Sequence, residues 1–370
     1  MRGGTSKGLL FHREDLPEDR SQWDSIFLQA MGDPDPKQID GLGGTVSSNN
    51  KIVIVWKSDE KDVDVEYLVG QVIVGKSQVD YKSNCGNMTA AVGPFAVEEG
   101  LVDAAQPLAV VRMLNRNTDK HIQVSVPVED GKVSVIGDCR IAGVDGTAPE
   151  LKVAFMDPAG SMTGRLMPTG RPLDTLEIPG FGKLEATLLD VSNPIVIVRA
   201  EDVGLIGGEL PGEIDSFEEK SGLLERIRGT AGVLMGLGRA PQEITARSPG
   251  APKIALISAP RSFRDISAKV VEASEMDIAA RVISVFKCHK ACPLTSACAI
   301  STAALMEGTI VSKTAGRLEA ADGAVRIGHP SGVMTLYPQL HRTDSSYSLS
   351  GVAVQRTARR IMDGTLYIRD

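Results

Sequence analysis

Two short segments constrain the fold of this chain more than anything else in it. Thr89-Ala90-Ala91-Val92 leads through Ala96-Val97-Glu98-Glu99 to Gly100, and Ser301-Thr302-Ala303-Ala304-Leu305-Met306-Glu307 leads to Gly308. Both are rich in small residues and almost uncharged until the last turn. Each meets a glycine, the residue that ends helices because it takes the left-handed conformation without strain. A helix with no polar face is buried on all sides, and here the element available to wrap it is sheet. Flanking runs repeat in the same order. Lys51-Ile52-Val53-Ile54-Val55 matches Lys253-Ile254-Ala255-Leu256-Ile257, and Gly8-Leu9-Leu10-Phe11 matches Pro194-Ile195-Val196-Ile197. Any α+β protein offers look-alike strands, but three ordered echoes point to a duplicated α+β fold. The halves would be residues 1–185 and 186–370. Pro168-Thr169-Gly170-Arg171-Pro172 and Pro179-Gly180-Phe181-Gly182 form the turn-rich approach to that boundary.

Composition narrows the function. A chain of 370 residues suits two domains of ordinary size. Lys and Arg number 40 against 47 Asp and Glu, for a net charge of −7. Phosphate contacts need clustered cations, so nucleic-acid and anionic-membrane binding are disfavoured. Aromatic residues, at 4%, are too few for a base-stacking platform. The N-terminus lacks an apolar signal region, and runs such as Ile52 to Trp56 are far too short to span a bilayer. Five cysteines in a chain this long do not make a disulfide framework, so the protein reads as cytoplasmic with reduced thiols.

The sharpest chemical signal is Ser83-Asn84-Cys85-Gly86-Asn87, just ahead of the first buried helix. A thiol there faces unpaired N–H groups and the positive end of a helix dipole, which favour thiolate and equip it for proton transfer. The same N–H groups could take a substrate carboxylate. A buried structural cysteine is the plain alternative. Lys51 opens an apolar strand, where partial burial would make it a usable base; a solvated strand-end lysine is the plainer reading. Lys253 shares both readings. Arg2-Gly3-Gly4-Thr5-Ser6-Lys7-Gly8 is dense in anion-binding groups but lacks the Gly-Lys-Ser/Thr of a P-loop. Val191-Ser192-Asn193-Pro194 and His329-Pro330-Ser331-Gly332 are lesser candidates of the same kind. Cys288, His289 and Cys292 cluster, but no second pair at zinc-site spacing completes them, so no metal is expected.

Met1-Arg2-Gly3-Gly4-Thr5-Ser6-Lys7-Gly8, Gln38-Ile39-Asp40-Gly41-Leu42-Gly43-Gly44, Asn84-Cys85-Gly86-Asn87 and His329-Pro330-Ser331-Gly332 resemble the PrpF family over essentially the whole chain. That family contains 2-methylaconitate isomerases, 3-methylitaconate Δ-isomerases and 4-oxalomesaconate tautomerases. The resemblance implies a diaminopimelate epimerase-like fold: two pseudo-symmetric domains, each a curved sheet wrapped around a central helix, with the site in the cleft between them. It implies a 1,3-allylic proton shift in a small unsaturated di- or tricarboxylate, with no metal and no cofactor. Lys51 and Cys85 match the family's acid/base pair. Arg2, Ser6, Lys7, Ser48, Gly86, Asn87, Asn193, Thr295 and Ser331 are the implied substrate contacts. The partner is the small carboxylate itself, neither nucleic acid nor membrane, and a homodimer is compatible.

The chain departs from the family pattern in three places. Numbering starts at the methionine of the first motif, so the strand that usually precedes it is expected to be shortened or missing. Asn49-Asn50 stands where Thr-Ser is commoner. Cys292 lies just ahead of the second central helix, about one residue from the place of the second thiol in two-cysteine epimerases. Two alternatives follow: a racemase or epimerase using Cys85 and Cys292, and a non-catalytic carboxylate-binding protein of the same fold.

Overall fold

The computed structural model describes residues 1–81, 85–248, 250–315, 318, 323–343 and 346–369. The chain divides into two compact units, residues 1–156 with 355–370, and residues 157–354. The first contains β1 (Arg2–Gly3), β2 (Ser6–His12), α1 (Trp23–Met31), β3 (Lys51–Lys57), β4 (Val65–Ile73), β5 (Gln78–Asp80), α2 (Gly86–Glu98), β6 (Leu108–Asn115), β7 (Lys120–Glu129), β8 (Lys132–Val133) and β9 (Leu151–Met156). The second begins with β10 (Asp174–Ile178), β11 (Gly182–Asp190), β12 (Pro194–Arg199), α3 (Pro211–Ser216), α4 (Glu218–Leu234), α5 (Pro241–Arg247), β13 (Lys253–Ser258), β14 (Phe263–Arg264) and β15 (Val270–Val271). It continues through β16 (Ile278–Ser284), β17 (Lys287–Cys288), α6 (Leu294–Leu305), α7 (Ile310–Thr314), β18 (Val325–His329), β19 (Gly332–Arg342) and β20 (Tyr347–Arg356). The chain then returns to the first unit, where β21 (Ala358–Arg359) pairs antiparallel with β1.

Both units carry the same ladder. In the first, β2 is parallel to β3, β3 antiparallel to β4, β4 parallel to β6, and β6 antiparallel to β7. In the second, β12 is parallel to β13, β13 antiparallel to β16, β16 parallel to β18, and β18 antiparallel to β19. Short hairpin strands β5 and β17 lead into α2 and α6 at matching places. The register corrects one echo by a residue: Gly8 pairs with Lys51 and Ile195 pairs with Lys253, so Gly8 answers to Ile195 rather than Pro194.

The apolar runs are continuous because both faces of each sheet are covered. In the first unit, Ile52, Ile54, Leu68 and Val72 pack against Trp23, Phe27 and Met31 of α1. Val53 and Val55 alternate to the other face of β3, the strand against which α2 also packs. The small residues of α2 allow close approach: a Cβ on Gly93 would stand 2.7 Å from Cγ1 of Val124 on β7. In the second unit α4 covers the outer face, with Leu224, Ile227, Ala231 and Met235 on Val196, Val198, Ile254 and Leu256. Residues Ser296 to Ala304 of α6 are all buried. No helix among the described residues is long and apolar enough to cross a membrane.

Two boundaries differ from the sequence reading. The units divide at Met156/Asp157 and at Val354/Gln355, where the sequence reading sets one division near residue 185. The C-terminal residues join the first unit because Ala358 and Arg359 pair with Gly3 and Arg2, and Arg360 forms ion pairs with Glu98 and Glu99 at the end of α2. Helix α6 stops at Leu305, short of Gly308. The Thr309 hydroxyl donates to the Ala303 carbonyl at 2.6 Å, closing the helix end and starting α7.

Candidate active site

Cys85 is the N-cap of α2, with extended backbone; the N–H of Thr89 donates to its carbonyl at 3.0 Å to begin the helix. No cap hydrogen bond comes from the Cys85 side chain, and no acidic residue stands in the first turn, so the thiol and the first N–H groups of the helix share one positive end. Ser83 and Asn84 lie outside the described residues. The Cys85 thiol donates to Ser6 Oγ at 3.9 Å. The Asn87 amide donates to Thr5 Oγ1 at 2.9 Å and to Ser6 Oγ at 3.5 Å. Glycine makes this approach possible. A Cβ on Gly4, whose φ is +51, would meet Asn87 Oδ1 at 2.3 Å, and one on Gly3 would meet the Asn87 carbonyl at 2.5 Å. The backbone of Cys85 is anchored from below: Thr89 Oγ1 donates to its carbonyl at 3.1 Å and lies 2.9 Å from the Tyr67 hydroxyl. Burial pushes the Tyr67 phenol well above its usual range, so it stays a neutral hydrogen-bonding group.

Lys51 opens β3 between two partners, Gly8 on β2 and Gln71 on β4. Its ammonium donates to Oε1 of Gln71. The Gln71 amide is fixed at its other end, donating to the carbonyls of Asn50 at 3.1 Å and Val72 at 2.8 Å. Asn50 is fully buried. Its amide donates to the carbonyls of Gly44 and Val46, and its Oδ1 accepts from Gln38. The unusual Asn-Asn pair therefore has a structural use: Asn50 ties the Gly43-Gly44 loop to the start of β3. Ser48 is half-buried in the 3₁₀ turn Ser47–Asn49 directly ahead of Lys51.

The structure thus brings Ser6, Cys85 and Asn87 together in the first unit, with Lys51 on the strand beside β2. Gly86 opens α2. Lys7 Nζ lies 3.5 Å from the Gly43 carbonyl. Arg2 is engaged on structure, its NH1 donating to the carbonyls of Gly4 at 2.9 Å and Thr357 at 3.0 Å and to Thr357 Oγ1 at 3.0 Å. In the second unit Thr295 Oγ1 accepts from Lys253 Nζ at 3.0 Å. Asn193 Oδ1 is buried with no hydrogen-bond partner among the described residues. Ser331 Oγ donates to the Lys290 carbonyl, and its N–H donates to His329 Nδ1 at 3.1 Å. Cys292 is buried, one residue ahead of the N-cap Pro293, and its thiol turns to the Pro293 carbonyl. Burial pushes that thiol up to about 12. Among the described residues no group of three or more His, Cys, Asp or Glu side chains could hold a metal ion.

Sequence reasoning missed Gln71, Thr5 and Thr357. Thr5 sits inside a motif already singled out. Gln71 and Thr357 carry no local signal, since strand register and a return of the distant C-terminus bring them in.

A family model described as PrpF protein matches residues 1–369. The 2-methyl-aconitate isomerase of Shewanella oneidensis is 40% identical, over 98% of this chain and 94% of that protein. The 3-methylitaconate isomerase of Eubacterium barkeri is 38% identical, over 100% of this chain and 96% of that protein. The crystal structure of a methylitaconate-delta-isomerase matches with a TM-score of 0.87 at 37% identity, covering 99% of this chain and 94% of that one.

Proposed function

The chain belongs to the PrpF family, and from that premise we propose that it is an isomerase that moves a carbon–carbon double bond in a small unsaturated di- or tricarboxylate such as 2-methylaconitate. Lys51 is the base. Its amine takes a proton from the allylic carbon, and the electron pair spreads through the double bond into the conjugated carboxylate. A proton then returns at the far end of the three-carbon system, from Lys51 itself or from the Cys85 thiol. Proton and double bond change places, and no electrons leave the substrate. The dienolate needs donors already in position. The first-turn N–H groups of Gly86 and Asn87, with Ser6 and Lys7, are suited to that task. Arg2, Ser48, Asn193, Thr295 and Ser331 complete the proposed contacts.

The observation that carries this reading is the partner of Lys51. An acid/base lysine must cycle between ammonium and amine. A carboxylate partner would favour the charged form; a side-chain amide fixes the nitrogen without supplying a countercharge. Gln71 is such a partner. Two-thiol chemistry fits less well, because a thiol pushed up to about 12 is a poor base near neutrality.

Proton NMR in deuterated buffer tests the proposal, with unsaturated polycarboxylates and the wild type beside Lys51→Met and Cys85→Ser. Loss or migration of an allylic proton signal that disappears in Lys51→Met is the expected result. Undiminished exchange in Lys51→Met refutes the assignment of the base. Exchange at saturated α-centres that needs Cys292 would replace the isomerase with an epimerase.

A further inference from the structure

We propose that a groove across the carboxyl ends of β2 and β3 is a second binding site, contained within the first unit, and that its ligand is a nucleoside phosphate. The inference goes beyond the isomerase reading and stands apart from it, because no residue lining the groove is among those assigned to proton transfer or to the substrate.

The argument starts from the strands. β2 and β3 run parallel, with His12 aligned to Val55 near their carboxyl ends. Lys51 opens β3 and Lys57 closes it. At the usual rise per residue the two ends of the strand are roughly 20 Å apart. The groove lies at the Lys57 end and has a volume of about 1150 Å³. Crevices beyond the carboxyl ends of parallel strands are favoured places for ligands. The lining includes Leu16, Val55 and Leu68, all buried. It also includes both tryptophans of the chain. Trp23 is 6% exposed, and its ring N–H donates to the Pro17 carbonyl at 2.8 Å. Trp56 is half-buried.

Each indole carries a guanidinium. Arg13 Cζ stands 5.1 Å from the centre of the Trp56 ring. Arg20 Cζ stands 5.4 Å from the Trp23 ring and 5.5 Å from the Tyr81 ring. A guanidinium held over a ring keeps N–H groups for an anion, and its plane can stack a base. Two other cations of the lining are already engaged. Arg116 meets Glu66 at 2.5 Å and Glu60 at 2.6 Å, and His12 meets Glu99 at 3.1 Å. Among the described residues Arg13, Arg20 and Lys57 form no ion pair, and neither do Glu14 and Glu18 on the same lining. Three cations against two carboxylates leave this lining positive in a chain of net charge −7. The mixture selects the ligand. Cations suit phosphate oxygens. Carboxylates suit sugar hydroxyls, as an acidic side chain does in dinucleotide sites. Indole and guanidinium faces suit a base. A simple anion would use only the cations, and an apolar ligand only the rings.

The plainer role for Arg13 and Arg20 is to shield two indoles from water, and the experiment separates the two. Because both tryptophans line the groove, intrinsic tryptophan emission reports its occupancy directly. ADP, adenosine and inorganic pyrophosphate are titrated separately into the full chain, with calorimetry beside the fluorescence. The expected result is a saturable change with ADP at a Kd below about 1 mM, and binding at least about tenfold weaker for adenosine and for pyrophosphate. Arg13 and Lys57 are exposed, so the Arg13→Ala/Lys57→Ala variant keeps the fold, and its ADP affinity should fall about 10- to 100-fold. Trp56→Leu, read by calorimetry, should weaken ADP about tenfold through lost stacking. No saturable response to ADP would overturn the inference, as would full ADP affinity in the double variant. Pyrophosphate binding as tightly as ADP would reduce the groove to a cationic patch, and adenosine binding as tightly would reduce it to an apolar cleft; either result also defeats the proposal. Proton exchange with unsaturated polycarboxylates, measured without ADP, should be the same in the wild type and the double variant. Its absence from the wild type would count against the isomerase reading alone, since the groove needs neither Lys51 nor Cys85.

Discussion

The ammonium of Lys51 donates to Oε1 of Gln71, its register partner across the antiparallel pair β3–β4. Both donors of the Gln71 amide are spent on the carbonyls of Asn50 and Val72, so the oxygen end must face Lys51. Replacing Gln71 with leucine keeps the bulk and removes the acceptor. We expect kcat to fall about 10- to 100-fold, since a misplaced base loses its near-attack geometry. KM should stay within about threefold, because Gln71 is not among the substrate contacts. Steady-state kinetics check this; an unchanged kcat would show that the amide does not position the base.

Gly4→Ala tests the packing of the N-terminal turn on α2. Gly4 sits at φ +51, and an added Cβ would stand 2.3 Å from Asn87 Oδ1. Left-handed backbone costs an alanine about 1–2 kcal/mol, and displacing Asn87 breaks its bonds to Thr5 and Ser6. The expected loss is about 2–4 kcal/mol in urea unfolding, together with lower activity. A loss under 1 kcal/mol would mean that Asn87 moves aside freely.

The parts of this molecule that were legible in its sequence are those that depend on local pattern. Lys51 at the head of a β-branched run became the first residue of a buried strand. Cys85, between a polar segment and an uncharged run, became the N-cap of a buried helix. The duplication was legible because both copies keep the order of strand, strand and buried helix. What stayed hidden depends on long-range pairing. Gln71 reaches Lys51 only once the register of β3 and β4 is set, and nothing around Gln71 announces that register. The return of the C-terminus depends on two residue pairs, Arg2 with Arg359 and Gly3 with Ala358. The end of α6 was misplaced because Thr309, beyond the glycine, supplies the closing hydrogen bond.

Thiol alkylation should sort the cysteines by position. Cys85 is half-buried beside the start of α2, whereas Cys288, Cys292 and Cys298 are buried. Burial also pushes Cys288 and Cys292 up to about 12, which leaves little of the reactive thiolate at neutral pH. Iodoacetamide at pH 7.5 should modify Cys85 well ahead of either residue, since burial both shields Cys288 and Cys292 and holds their protons on. A polycarboxylate ligand should slow the Cys85 reaction. Peptide mapping by mass spectrometry reads the order, and early labelling of Cys292 would contradict the described burial.

The same two thiols set how stability changes in base. In the unfolded chain each ionises near the ordinary value of 9.0, whereas in the folded chain each holds its proton to about 12. Below pH 9 both states carry the proton and the thiols cost nothing. Between about 9 and 12 the unfolded state binds fewer protons, so stability falls as pH rises, by at most about 1.4 kcal/mol per pH unit for each thiol. By pH 10 the pair should remove about 3 kcal/mol relative to pH 8. Urea unfolding of the wild type and of a Cys288→Ala/Cys292→Ala variant at pH 8, 9 and 10 measures this. The variant starts lower because it carries two small cavities, a penalty that does not change with pH. Its decline above pH 9 should therefore be shallower than that of the wild type. Parallel declines would mean that these thiols do not govern the alkaline limb.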